Sequence, residues 1–190
     1  MNLAMMYLKM NQIEDDKLRE LLEIYEEVEK EYGPENCFLY GSMAIYFMCK
    51  MLNIDVGGFK PNDVDIMIQG KREWRLKDTN TWERSITINN GTYEYDLLAH
   101  PKTVKRYHYI DFIKPNNESQ RIQIFPVTII LHEYQEQLDE GKPNAQQKVD
   151  LLNQIIQADN ANKENNSFIL KTVKIESQRR NIGKVRGLIF

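Results

Sequence analysis

Two aspartates stand one residue apart at the head of an apolar run, in the segment NDVDIMIQG at residues 62–70. Side chains alternate across a β-strand, so Asp63 and Asp65 point to the same face. Neighbouring carboxylates repel each other and lose hydration when buried, which disfavours such a strand. Divalent cations remove that repulsion, and carboxylate oxygens are the ligands that Mg²⁺ prefers. The segment therefore predicts a largely buried strand with a metal site at its open end.

Length and composition place the chain among ordinary globular proteins. Its 190 residues suit one domain, or one domain with a small helical appendage, and 42% hydrophobic with 28% charged residues is usual for that class. The net charge of −3 argues against a molecule built to coat nucleic acid or an anionic membrane. No run of 18 apolar residues occurs, and residues 1–10 are too short and polar for a signal peptide, so we expect a cytoplasmic protein without a membrane partner.

Cysteine and histidine give no metal-binding signature. Cys37 and Cys49 both lie in apolar stretches, and we interpret them as small buried hydrophobes rather than a disulfide or a metal pair. The three histidines are scattered without ligand spacing. The acidic residues are therefore the better candidates for metal ligands.

Periodicity divides the chain into helices and strands. An amphipathic pattern predicts a helix over 13–32, and CFLY at 37–40 predicts a short strand. GSMAIYFMCKML is apolar on most sides, which predicts a buried helix that Ser42 caps. The segment ERSITINNGTYEYDLLA predicts a hairpin with Asn90-Gly91 as its turn, and a second pair of strands is expected around Pro115-Asn116-Asn117.

The C-terminal part is predicted to be helical. Helices are expected after Pro126, in VTIILHEYQEQL, and again in NAQQKVDLLNQIIQA, before a polar stretch and a basic tail at 171–190. The order of elements indicates an α/β (α+β) fold, with a small mixed β-sheet flanked by helices and a C-terminal helical part. We expect a catalytic core with its N-terminal helix at 1–126, a helical part at 127–158, and a polar linker with a basic tail at 159–190.

Two further features add weight to the aspartate pair, which by itself is expected about once by chance and would also suit a solvated strand start. Gly41 lets a phosphate approach the backbone, and Ser42 offers a hydroxyl beside free N–H groups at a helix N-terminus. In YEYDLL, Glu94 and Asp96 share one face, and either would complete a three-carboxylate cluster. Three carboxylates, two Mg²⁺ ions and a triphosphate are the parts of two-metal nucleotidyl transfer.

The order strand, Gly-Ser, helix, Asp-x-Asp strand and later aspartate resembles the nucleotidyltransferase superfamily that includes DNA polymerase beta. The short bacterial members are nearest, namely the minimal nucleotidyltransferases and the abortive-infection-type toxin nucleotidyltransferases. The resemblance covers residues 36–157, and QQKVDLLNQII is similar to that group's late helix. The spacing departs from that of many members of the superfamily, which have fewer residues between the Gly-Ser and the aspartate pair. Here 20 residues separate Ser42 from Asp63 and include the insert NIDVGGFKPN.

The resemblance implies a role for each matching residue. Gly41 and Ser42 would hold the phosphates of an NTP, and Asp63 and Asp65 would bind both Mg²⁺ ions. Asp96, preferred to Glu94 because apolar residues follow it, would bind the catalytic ion and help to deprotonate the attacking hydroxyl. Lys148, with Asp150, matches the late helix and would contact a phosphate; a solvated helix face is the alternative for Lys148.

The leading hypothesis is a Mg²⁺-dependent nucleotidyltransferase that moves an NMP from NTP to an acceptor hydroxyl and releases pyrophosphate. The family implies three acceptors: a partner protein, a tRNA end or a small molecule. An alternative is a non-catalytic module that binds a nucleotide or a partner protein in a toxin–antitoxin or phage-defence pair. A third, a two-metal phosphohydrolase, would usually need more ligands than this chain offers. The tyrosines of RYHYIDFI are expected to pack over the sheet, with base stacking as the alternative.

Overall fold

The computed structural model describes residues 16–70, 81–88, 91–100, 102–113, 119–164 and 170–174. At 81–88, 91–93, 112–113, 163–164 and 172–174 it describes the backbone alone. In chain order, the elements are α1 (Asp16–Tyr32), a short 3₁₀ turn (Pro34–Asn36), β1 (Cys37–Tyr40), α2 (Gly41–Met51), β2 (Val64–Gln69), β3 (Thr81–Ile88), β4 (Gly91–His100), β5 (Arg106–Ile113), β6 (Ser119–Ile124), α3 (Val127–Asp139), α4 (Ala145–Glu164) and β7 (Lys171–Lys174).

The strands of the described residues form one mixed sheet of seven, in the order β3-β4-β2-β1-β6-β5-β7. β2 runs parallel to β4, and β1 runs parallel to β6, whereas β1 and β2 are antiparallel. This mixed sheet with its helices confirms the predicted α+β class. The two predicted strand pairs are confirmed as the antiparallel pairs β3/β4 and β5/β6.

The turn residues of both strand pairs fall partly outside the described residues. Ile88 lies opposite Gly91, so Gly91 already belongs to β4, and Asn90 lies outside the description. The predicted turn at 115–117 lies outside it as well. Strand pairing, rather than turn geometry, is therefore what the structure establishes for these hairpins.

The two faces of β2 differ in burial, because side chains alternate along the strand. Val64, Ile66 and Ile68 share one face, are fully buried and belong to one core with apolar side chains of α1 and α2. Asp65 and Gln69 lie on the opposite face and are half-buried. Asp65 therefore stands on the more open face of a strand whose other face anchors the core.

Helix α1 packs as its amphipathic pattern predicts within residues 16–32. Its side chains on one face are buried, among them Tyr25, whose hydroxyl donates to the Cys37 carbonyl at 2.8 Å. The same oxygen accepts from the Gln123 backbone N–H at 3.1 Å. Tyr25 therefore ties the helix to two neighbouring strands, β1 and β6.

Helix α2 is buried all around, as predicted, but it begins two residues earlier than a cap at Ser42 would place it. Gly41 is its first residue and Tyr40 is the N-cap, without any side-chain capping hydrogen bond. Ser42 is thus inside the first turn, and the prediction that it caps the helix is wrong. The reason is Gly41, whose φ of +64° lets the chain turn directly from strand into helix.

Two described elements, α4 and β7, extend past the predicted helical part at 127–158. Helix α4 continues to Glu164, into the stretch predicted as a polar linker, and β7 adds residues 171–174 of the predicted tail to the sheet beside β5. Buried side chains at Leu152, Ile155 and Asp159 keep one face of α4 against the protein. Because Asp159 is buried on the same face as Leu152 and Ile155, the packed face of the helix continues beyond its apolar residues.

The cysteine prediction is confirmed, since Cys37 and Cys49 are both free and buried. Burial raises the pKa of each thiol to about 12. Across the described part of the chain, none of the helices is both long enough and apolar enough for a membrane span.

Candidate metal centre

The sheet register brings the predicted acidic residues together. β2 and β4 are parallel neighbours in which Asp65 lies directly opposite Asp96. Residues opposite each other on paired strands project from the same face, so both carboxylates share the open face. Asp63 precedes Asp65 by two positions and lies immediately before β2. The three aspartates therefore occupy one corner of the sheet, beside the end of β1, where Tyr40 lies opposite Asp65.

The three carboxylates are close enough to share a cation. One carboxylate oxygen from each of Asp63, Asp65 and Asp96 lies within 4.8 Å of the other two, and all three residues are half-buried. Glu94 is exposed and is not part of this cluster. The structure thus groups Asp96, rather than Glu94, with the aspartate pair, and the resulting acidic triad could hold a metal ion.

Gly41 is required by the position of Asp65. A Cβ atom at Gly41 would lie 1.9 Å from Oδ2 of Asp65, far inside any allowed contact. The carboxylate therefore rests directly on the glycine Cα, at the first residue of α2. The space that a side chain at position 41 would fill holds the Asp65 carboxylate, and the contact of Gly41 with a phosphate stays a prediction.

The environment of Asp65 opposes its negative charge. Burial and the nearby charges of Asp63 and Asp96 raise its pKa to about 7, and Lys148 acts in the opposite direction. A carboxyl group so disfavoured as an anion gains much from a cation at the same place. A divalent cation would relieve this repulsion, and hard divalent cations such as Mg²⁺ prefer carboxylate oxygens as ligands. The three aspartates therefore suit a divalent metal.

A cavity of about 300 Å³ is lined in part by Asn62, the residue directly before Asp63 of the acidic triad. It lies between the first turn of α2, the loop before β2 and the start of α4, and its lining includes two lysines. The lining residues are Ser42, Gly58, Phe59, Lys60, Asn62, Asn144, Gln147 and Lys148. The segment NIDVGGFKPN at 53–62 thus supplies one wall of the cavity, at positions that sequence reasoning did not single out.

Lys148 is the residue that links the cavity to the triad. Burial lowers the pKa of its ammonium group, while Asp63, Asp65 and Glu133 partly offset that effect. Its Nζ lies 4.5 Å from the ring centre of Tyr134 on α3. Asp150, from the same sequence match, is exposed and accepts a hydrogen bond from the Gln146 side chain at 2.8 Å. Lys148 therefore belongs to the site and Asp150 does not.

Sequence reasoning missed Tyr134 and Lys60. Tyr134 is a buried residue of α3 whose phenol pKa is raised by burial and by the charges of Asp65, Glu133 and Asp63. One tyrosine among ten carries no signal of its own, and α3 packs on α4, which carries Lys148, through contacts that the sequence pattern does not reveal. Lys60 had a signal, since it stands two residues after a Gly-Gly pair in the unexplained insert.

Comparison of the chain with protein-family models, curated proteins and solved structures gave no significant match. The residues and geometry of the site are therefore what indicate a function.

Proposed function

We propose that the protein is a Mg²⁺-dependent nucleotidyltransferase. The observation that carries the proposal is the convergence of Asp63, Asp65 and Asp96 next to Gly41, at the N-terminus of a buried helix. Isolated acidic clusters are common on protein surfaces, but this one is half-buried and adjoins a cavity lined by two lysines. The acidic triad would bind cations, and the neighbouring cavity with its two lysines would bind phosphates. A nucleoside triphosphate with its metal ions needs both kinds of site next to each other.

Each group of the site has a role in this proposal. The three aspartates would hold two Mg²⁺ ions, which when bound would neutralise the charge that develops on the transferred phosphoryl group. Lys148 and Lys60 would contact the phosphates, and Ser42 would donate its hydroxyl to the same group at the start of α2. Positioning and charge neutralisation would supply most of the rate enhancement, as in other phosphoryl transfers.

In the proposed reaction, the oxygen of an acceptor hydroxyl forms a bond to the α-phosphorus of NTP. The bond from that phosphorus to the bridging oxygen breaks, and pyrophosphate leaves with its electron pair. Asp96 accepts the proton of the attacking hydroxyl. The acceptor would be a protein side chain, a tRNA end or a small molecule, and cytoplasmic NTP would supply the donor.

A label-transfer assay tests the proposal. The protein is incubated with each α-³²P-labelled NTP, Mg²⁺ and a cell lysate, and labelled products are separated by size and sensitivity to nuclease and protease. We expect transfer from at least one NTP, with loss of at least about a hundredfold in Asp63→Asn, Asp65→Asn and Asp96→Asn. Asp150→Asn, which removes an exposed aspartate outside the site, is the matched control and should keep full activity.

The same experiment separates the proposal from its alternative. Nucleotide binding by the wild type without any transfer would support a non-catalytic module that holds a nucleotide or a partner protein. Equal activity in the wild type and the Asp65→Asn variant would contradict the proposed site. Release of free NMP or phosphate, without a labelled acceptor, would indicate a phosphohydrolase.

A further inference from the structure

Tyr134 and Lys148 form a contact between two helices at the edge of the cavity. The Lys148 Nζ lies 4.5 Å from the centre of the Tyr134 ring, within the range of a favourable interaction between a cation and an aromatic face. Tyr134 is 7% exposed, so its ring is fixed by the packing of α3. The face of the ring is therefore a fixed and favourable binding position for the partly desolvated ammonium group.

Without the contact with the Tyr134 ring, the Lys148 ammonium group would have an alternative favourable position beside the aspartates. Asp63 and Asp65 both attract its charge, and a flexible lysine would gain Coulomb energy by moving onto them. The structure instead describes no ion pair within 4.0 Å between Lys148 and either aspartate, among the residues it covers. The ammonium group lines the cavity with Ser42 and Lys60. Asp63 and Asp65 are thus not paired with Lys148, and the ammonium group faces the cavity, where an anion can reach it.

We propose that Tyr134 is a positioning residue that holds Lys148 in the cavity and prevents it from forming an ion pair with the acidic triad. This deepens the proposed function and rests on it, since the anion in the cavity would be the triphosphate. In this arrangement, loss of the ring has two effects through one lysine. Triphosphate binding weakens because Lys148 leaves the cavity, and cation binding weakens because Lys148 moves onto the carboxylates.

The test uses variants of Tyr134 alone and combined with Lys148→Met. Tyr134→Phe keeps the ring and should behave as the wild type. Tyr134→Met removes the ring but fills similar space, and should raise the KM for NTP about threefold to tenfold with kcat changed less than about twofold. Tyr46→Leu is the matched control, since Tyr46 is also buried and its ring lies 5.1 Å from the Nζ of Lys50, which unlike Lys148 is not among the residues that line the cavity.

Cation binding gives a readout that does not need activity. Mn²⁺ is titrated into the nucleotide-free protein by calorimetry. Tyr134→Met should weaken Mn²⁺ binding about threefold or more, and adding Lys148→Met should restore it to at least the wild-type affinity, because the competing ammonium group is gone. If Tyr134→Met unfolds the protein, trifluorophenylalanine at position 134 keeps the shape and removes most of the negative ring face.

Two results would overturn the proposal: unchanged KM and Mn²⁺ affinity in Tyr134→Met, or the same loss of Mn²⁺ affinity whether or not Lys148 is present. A wild-type protein that transfers no nucleotide would refute the proposed function alone. The coupling between Tyr134 and Lys148 in Mn²⁺ binding would still be measurable, so the two failures are distinguishable.

Discussion

Gly41→Ala is the most informative single substitution, because two costs meet at this position. Its φ of +64° lies in the left-handed region, where alanine is less stable than glycine by about 1–2 kcal/mol. In addition, the new Cβ would meet Oδ2 of Asp65 at 1.9 Å, and contacts under 3.0 Å essentially never occur, so the carboxylate must move by about 1.1 Å. A displacement of about 1 Å in a catalytic group reduces activity by about a hundredfold.

Gly141→Ala separates the two costs. Gly141 has a φ of +72°, but a Cβ atom there would meet nothing within 4 Å. Gly141→Ala should lose about 1–2 kcal/mol, which lowers Tm by about 2–8 °C in a domain of this size, and Gly41→Ala should lose at least as much. Gly41→Ala alone should also lose the rise in Tm that Mn²⁺ gives the wild type, together with nucleotidyl transfer.

Thermal unfolding with and without Mn²⁺, followed by the label-transfer assay, measures both effects. If Gly41→Ala keeps the wild-type response to Mn²⁺ and wild-type transfer, the contact between the glycine and Asp65 has no role in the site. A loss of Mn²⁺ response in Gly141→Ala would show that backbone strain, rather than displacement of the carboxylate, explains the result.

Three further predictions concern stability and reactivity. Because the folded-state pKa of Asp65 is raised to about 7, the metal-free protein should lose stability as pH rises from about 4 through 7. Asp65→Asn should reduce that loss and stabilise the metal-free protein by about 2 kcal/mol at pH 8, as urea unfolding in EDTA would show. Tyr25→Phe should cost about 1–3 kcal/mol in urea unfolding, because the buried Gln123 N–H loses the phenol oxygen it donates to. Cys37 and Cys49 are buried, so neither should react with a thiol reagent until the protein unfolds. A pH-independent stability, an unchanged Tyr25→Phe variant, or rapid labelling of native thiols would contradict these expectations in turn.

The sequence by itself determined the local elements and the chemical types at the site. Period-2 alternation and apolar runs predicted β2, β4 and the two strand pairs, because these patterns depend only on neighbouring residues. The choice between Glu94 and Asp96 needed the register of β2 against β4, since both acids lie on the same face of one strand. Ser42 was misjudged as a cap because the φ of Gly41, rather than side-chain chemistry, sets the start of α2.

Only the tertiary structure decided what surrounds the acidic triad. Tyr134 and Lys148 lie on different helices, and their contact arises from the packing of α3 on α4. The same is true of Gly41 and Asp65, which are 24 positions apart and meet because β1 pairs with β2. Short-range sequence patterns carry no information on these contacts, since the packing of the whole core brings together side chains that are distant in sequence.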